Sequence, residues 1–180
     1  RNVTIDTVYP TLVFIDPTPF NNSNQSSSTL TVNVSHNVSH SLSFVLFFDG
    51  TPNLTKPYSG NFTNGTVIGI NEGTHLFYVQ INESSAHANR TETRTIRVDA
   101  TPPFLFLESP GSQSYDTDGD VIFRYNVSDN LLGVENCSLI LDNVQNLSNL
   151  SVVEGTSLNF SKVLQNGYHN WSVDCYDHIG

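Results

Sequence analysis

The chain repeats itself. At an offset of 93 residues, positions 1–49 lie over 94–142 without a gap. "RNVTIDTVYPTLVFIDP" falls on "RTIRVDATPPFLFLESP", which pairs Arg1 with Arg94, Asp6 with Asp99, Pro10 with Pro103, Leu12 with Leu105 and Pro17 with Pro110. "NVSHN" (33–37) then meets "NVSDN" (126–130), and Asp49 meets Asp142. After a slip of one residue, "EGTH" (72–75) meets "NGYH" (166–169). Register is kept through apolar and turn positions alike, so the fold must be one that a unit of this size completes and can stack in tandem.

Within the unit the hydrophobic period is two. "FRYNVS" sets Phe123, Tyr125 and Val127 on one face and Arg124, Asn126 and Ser128 on the other, and "NWSVDC" sets Trp171, Val173 and Cys175 inward. Turn chemistry recurs at short spacing in "DGTPN", "TNGT", "NEGT", "SPGS", "TDGD" and "QNG". No stretch carries three turns of amphipathic helix. Roughly seven short strands per unit is the rhythm of an immunoglobulin-like sandwich. The expected fold is therefore all-β, with two tandem Ig-like β-sandwich domains at 10–102 and 103–180. "TRTIRV" closes domain one, whereas domain two lacks its last strand within this chain. Residues 1–9 align with that closing stretch. They are expected to serve as the closing strand of a neighbouring sandwich, with Asn2, Val3, Thr4, Ile5 and Asp6 as the donated residues.

"NCSLILD" (136–142) followed by "NGYHNWSVDCYD" (166–177) resembles the immunoglobulin-like repeats of archaeal cell-surface proteins, whose plan related bacterial repeats share. The resemblance covers both units, most clearly the second. It implies an extracellular β-sandwich with a disulfide between Cys137 and Cys175. The chain departs from the pattern at "HIG", where an Ala-Gly-Asn turn is usual. The strand pattern leads to the same bond, since Cys137 shares a face with Leu139 and Leu141, and Cys175 shares one with Trp171 and Val173. In domain one the matching positions are Phe44 and Ile81. Clustering of the CxxC kind, which a metal or redox site would want, is absent from the sequence.

Seven Lys and Arg face seventeen Asp and Glu, for a formal charge of −10. Nucleic acid and anionic membranes both require a basic footprint, so neither is an expected partner. No apolar run approaches the roughly 20 residues of a membrane span, so no membrane contact is expected of this segment. Polarity comes instead from Asn, Ser and Thr. Sixteen of twenty-one Asn residues begin Asn-x-Ser/Thr: Asn2, Asn21, Asn24, Asn33, Asn37, Asn53, Asn61, Asn64, Asn82, Asn89, Asn126, Asn136, Asn146, Asn149, Asn159 and Asn170. Ser and Thr content alone predicts roughly four. Eleven have an apolar or Cys middle residue and could follow from strand alternation; the other five are expected in turns. N-linked glycans at the cell surface are the favoured reading.

Other constellations are weaker. Asp116, Asp118 and Asp120 place carboxylates at every second residue, a spacing that calcium can use, but no bidentate glutamate follows and a solvated turn is preferred. His75 and His169 occupy matching turns; His36 and His40 flank a loop without a counterpart pair. No nucleophile–base motif, phosphate loop or dinucleotide fingerprint occurs, so neither an enzyme nor a cofactor is expected. The leading expectation is a structural repeat of an extracellular filament, stalk or surface layer. Its partners are copies of itself or adjoining repeats, head to tail, either as one long polypeptide or as subunits joined by donated strands. The alternatives are an adhesin or glycan-binding module, using exposed aromatics such as Tyr58 and Tyr115, and an accessory domain of a secreted enzyme.

Overall fold

The structure, a computed structural model, describes residues 1–3, 5–37, 41–57, 62–83 and 86–179. It is all-β and divides into two compact units, Arg1–Ala100 and Thr101–Gly180. Unit one contains β1 (Thr11–Ile15), β2 (Ser23–Gln25), β3 (Thr29–Asn37), β4 (Ser41–Phe48), β5 (Thr51–Lys56), β6 (Phe62–Ile68), β7 (Gly73–Glu83), β8 (Ala88–Arg90) and β9 (Arg94–Val98). One sheet runs β1-β3-β6; the other runs β2-β9-β7-β4-β5, with β8 also on β7. Unit two contains β10 (Phe104–Ser109), β11 (Asp120–Ser128), β12 (Val134–Leu141), β13 (Val144–Asn149), β14 (Leu158–Val163) and β15 (Trp171–Asp177). Its sheets run β10-β11-β14 and β13-β12-β15.

Each unit is a two-sheet sandwich, and the cores follow the period-two pattern. Leu30, Val32 and Val34 of β3 and Phe77, Val79 and Ile81 of β7 are buried, together with Phe44, Leu46, Val67, Ile96 and Val98. Phe123, Tyr125 and Val127 pack with Cys137, Leu139, Phe160 and Val173 in unit two. At about 25 cal/mol per Å² of apolar surface removed from water, these inward rows are the main stabilising term.

The expectation of seven strands per unit becomes nine described strands in unit one and six in unit two. Six correspond pairwise by sequence offset: β1 with β10, β3 with β11, β4 with β12, β5 with β13, β6 with β14 and β7 with β15. The turn reading of "DGTPN" matches the two-residue loop between β4 and β5, where Asp49 and Gly50 have φ of 49° and 78°, as a type I′ hairpin requires. "TNGT" is different, because Asn64 and Gly65 lie inside β6. A Cβ at Gly65 would meet Leu54 at 3.0 Å and Leu46 and Phe44 at 3.3 Å. That glycine is there for close approach of side chains, and its turn-like neighbourhood misleads. Of the five sequons expected in turns, Asn24, Asn64, Asn82 and Asn89 likewise lie in strands.

Candidate functional site: the edge of the second sandwich

β7 lies between β4 and β9, one on each edge. Phe77 to Glu83 pair with β4, and Gly73 to Phe77 pair with β9, in the register Gly73↔Val98, Thr74↔Arg97, His75↔Ile96, Leu76↔Thr95 and Phe77↔Arg94. β9 in turn receives β2 on its far side, in parallel, through Ser23↔Ile96, Asn24↔Arg97 and Gln25↔Val98. This closing strand buries Ile96 and Val98 to 0% and 1% exposure.

Unit two has, among the described residues, no strand in the position that β9 fills in unit one. Among the described residues β15 lies at the edge of its sheet and pairs only with β12. It begins at Trp171, the counterpart of Phe77; the stretch 167–170, whose counterpart pairs with β9, is not extended into the ladder. Residues 116–118, the counterpart of β2, form no strand either. Trp171 is half-buried where Phe77 is fully buried, and Leu164 is half-buried where Ile70 is buried. The sequence counterpart of β9 is 1–5. There Val3 and Ile5, which match Ile96 and Val98, are 85% and 82% exposed.

Residues 1–3 and 5–9 form no strand within their own chain. Val8, Tyr9 and Pro10 nevertheless rest on unit one: the Tyr9 ring stacks on His87 at 4.2 Å, His87 Nδ1 lies 3.1 Å from the Val8 carbonyl, and Asn89 Nδ2 donates to the Pro10 carbonyl at 2.8 Å. The end of the 1–9 stretch is thus seated on unit one. Thr4 lies outside the described residues.

Cys137 and Cys175 are direct partners across β12 and β15 and form a disulfide with a Cα–Cα distance of 4.1 Å. Phe44 and Ile81 are the register pair in unit one, both fully buried. The covalent bond therefore ties β15 to β12, the central strand of its sheet.

The two corner histidines share one geometry. His75 Nδ1 is 2.7 Å from Asp49 Oδ2 and its Nε2 is 2.9 Å from the Asn71 carbonyl; His169 Nδ1 is 2.7 Å from Asp142 Oδ2 and its Nε2 is 3.0 Å from the Gln165 carbonyl. The other carboxylate oxygen of each Asp accepts the backbone N–H of Leu76 or Asn170. Such a His–Asp pair superficially suits general-base chemistry, but both ring nitrogens are engaged with acceptors, which makes it a corner brace. The hydrogen bond to Asp142 and then the Gln165 carbonyl raise the His169 pKa, and the same His169 contact lowers that of Asp142.

Elsewhere, Asp116 and Asp118 hold backbone. Asp116 Oδ1 accepts from the N–H groups of Asp118 and Gly119, and Asp118 Oδ1 accepts from Asp120. Gly119, at φ 83°, carries a carbonyl that accepts from Leu164 N at 2.9 Å, and a Cβ there would meet Leu164 O at 2.9 Å. His36 is buried with Nε2 3.1 Å from Thr63 Oγ1, and burial lowers its pKa; His40 and Tyr58 lie outside the described residues. Tyr115 is 98% exposed.

Among the sequon asparagines, Asn2, Asn21, Asn24, Asn37, Asn53, Asn64, Asn89, Asn146, Asn159 and Asn170 are exposed. Asn33, Asn82, Asn126, Asn136 and Asn149 are half-buried, and Asn61 lies outside the described residues. Glycan attachment uses Nδ2, which is a hydrogen-bond donor in Asn33, Asn82, Asn89 and Asn149.

No protein-family model matches the chain, and no curated protein matches it. Solved structures do. The fibronectin(III)-like modules of Clostridium thermocellum CbhA are 14% identical over 93% of this chain and 86% of theirs, with a TM-score of 0.48. A 1.5-MDa bacterial ice-binding adhesin is 11% identical over 97% of this chain and 66% of that one, with a TM-score of 0.38. A chimeric titin Z1Z2 is 16% identical over 97% and 93%, again with a TM-score of 0.38.

Proposed function

We propose that the chain is a non-catalytic structural unit of an extracellular, N-glycosylated fibre, of the kind that its 136–142 and 166–177 motifs resemble in archaeal surface proteins. Units join head to tail when residues 1–6 of one complete the second sandwich of the next. One observation carries this reading: among the described residues no strand covers the edge at 167–171 as β9 covers its counterpart in unit one, while the sequence equivalent of β9 stands with Val3 and Ile5 exposed. Transferring the β9 register places Ile5 opposite Gly167, Val3 opposite His169 and Arg1 opposite Trp171, antiparallel to β15 and parallel to 116–118. Burial of Val3 and Ile5 contributes roughly 1.5–3 kcal/mol each, and the ladder hydrogen bonds set direction and register. A head-to-tail contact that does not close gives an open filament. The disulfide and the exposed sequons fit an oxidising, extracellular setting.

The register gives a direct test. Asn2 falls opposite Asn170, as Thr95 does opposite Leu76. The double variant N2C/N170C is expected to yield a ladder of covalent multimers on non-reducing gels, lost on reduction, and absent when residues 1–6 are deleted. A monomeric product, or a ladder that survives the deletion, would rule the assembly out.

A further inference from the structure

Period-two alternation places Glu83 on the inward face of β7, in line with Phe77, Val79 and Ile81. It is 3% exposed, and its Oε2 is buried with no hydrogen-bond partner among the described residues. A carboxylate oxygen buried without a donor is costly, and such an atom calls for a bound ion or a proton. Among the described residues its basic neighbour is His87, whose Nδ1 is 3.9 Å away, too far for a hydrogen bond. That nitrogen faces the Val8 carbonyl at 3.1 Å instead. Asp6 completes the cluster: one ligand atom from each of Asp6, Glu83 and His87 lies within 4.8 Å of the other two.

We infer that Asp6, Glu83 and His87 form a binding site for a divalent cation of the zinc class. Two carboxylates and one imidazole are a mixed oxygen and nitrogen set, which suits Zn²⁺ better than Ca²⁺, an ion that prefers oxygen alone. Ligand atoms around zinc stand at about 2.0–2.2 Å from the metal, so the side chains close in by roughly an ångström from their present spacing. The imidazole binds as the neutral tautomer, with its proton on the nitrogen that does not face the metal. Stacking of Tyr9 on His87, and the turn in which Asp6 Oδ1 accepts the Val8 N–H at 3.1 Å, already orient two of the three ligands. An ion here would fasten the root of the 1–9 stretch to the end of β7, leaving Val3 and Ile5 ahead of the anchor. All three ligands belong to unit one, so the site does not depend on fibre formation.

The test is calorimetric titration of the metal-stripped full chain with Zn²⁺, alongside Ca²⁺, with histidine NMR on the same samples. One Zn²⁺ per chain is expected, with perturbation of the His87 imidazole and not of His75 or His169. D6N and H87A are each expected to weaken binding at least tenfold with unchanged circular dichroism. E83Q removes the buried charge as well, but because it can unfold the strand end, the two more exposed positions carry the test. Absence of saturable Zn²⁺ binding, or full affinity in both D6N and H87A, overturns the proposal. So does Ca²⁺ binding as tight as Zn²⁺ binding that H87A leaves intact.

Discussion

The two sandwiches follow one blueprint and finish it differently. In unit one the chain supplies β9, which covers the start of β7, recruits β2 and buries Ile96 and Val98. In unit two the same corner, brace and hairpin are in place, but the start of the equivalent strand has no partner among the described residues. Where unit one closes its central strand pair with Phe44 against Ile81, unit two uses the disulfide of Cys137 and Cys175. The difference teaches that a covalent bond and a covering strand act on the same element. One holds β15 to β12; the other would cover its free edge, the kind of edge that pairs with another chain when left exposed.

Loss of the disulfide should separate the two units most. The two cysteines are 38 residues apart, and closing a loop of that length restricts the unfolded chain by about 4 kcal/mol. C137A/C175A, or reduction of the native chain, is therefore expected to move the unfolding transition of unit two to much lower denaturant. The transition of unit one, with Phe44 and Ile81 at those positions, should stay where it is. Equal shifts in both transitions would mean that the bond does not act on unit two alone.

A matched pair of core truncations comes next. Ile96 is fully buried, so Ile96→Ala is expected to cost unit one about 3 kcal/mol. Val3 is its sequence counterpart and is 85% exposed, so Val3→Ala should leave the stability of the isolated chain essentially unchanged. If residues 1–6 complete a neighbour, the same Val3→Ala change should instead raise the critical concentration for assembly, read by light scattering or sedimentation. A V3A chain that assembles like wild type would remove Val3 from the interface.

Why these two positions differ so much was half legible in the sequence. Alternation and the repeat offset placed the inward rows, the Cys137–Cys175 pair and the Phe44–Ile81 pair, because strand periodicity is a local property. Partner choice is not local. The spacing of "DTDGD" reads as a turn in preference to a calcium site, and the structure shows the hydrogen bonds that shape that turn. "TNGT" read as a turn, and the clearance around Gly65 explains its place in β6. The cluster of Asp6, Glu83 and His87 joins positions 77 residues apart and could not be assembled from spacing. One signal for it was present: the inward row Phe77, Val79 and Ile81 continues to a glutamate, and a carboxylate on a core face needs a partner.

The smallest expected difference is a matter of pH. His169 has its pKa raised above 6.5, first by the hydrogen bond to Asp142 and then by the Gln165 carbonyl. Its contribution to unit two is fully present below the unfolded value of 6.5 and is lost as pH rises through the higher folded value. Asp142 has its pKa lowered below 3.8, first by His169 and then by the Asn170 N–H, so its contribution is present above 3.8 and lost as pH falls through the lower folded value. The brace is therefore most effective between those two unfolded values, in mildly acidic solution. Because the pair is exposed to solvent, the effect should be small and weaken with salt. The denaturation midpoint of unit two, followed by Trp171 fluorescence, is expected to fall modestly from pH 5.5 to pH 8, and His169→Asn should flatten that slope. Val3 of a donated strand would stand opposite His169, so a slope that is the same in monomer and assembled fibre would show that assembly leaves this corner unchanged, contrary to the transferred register.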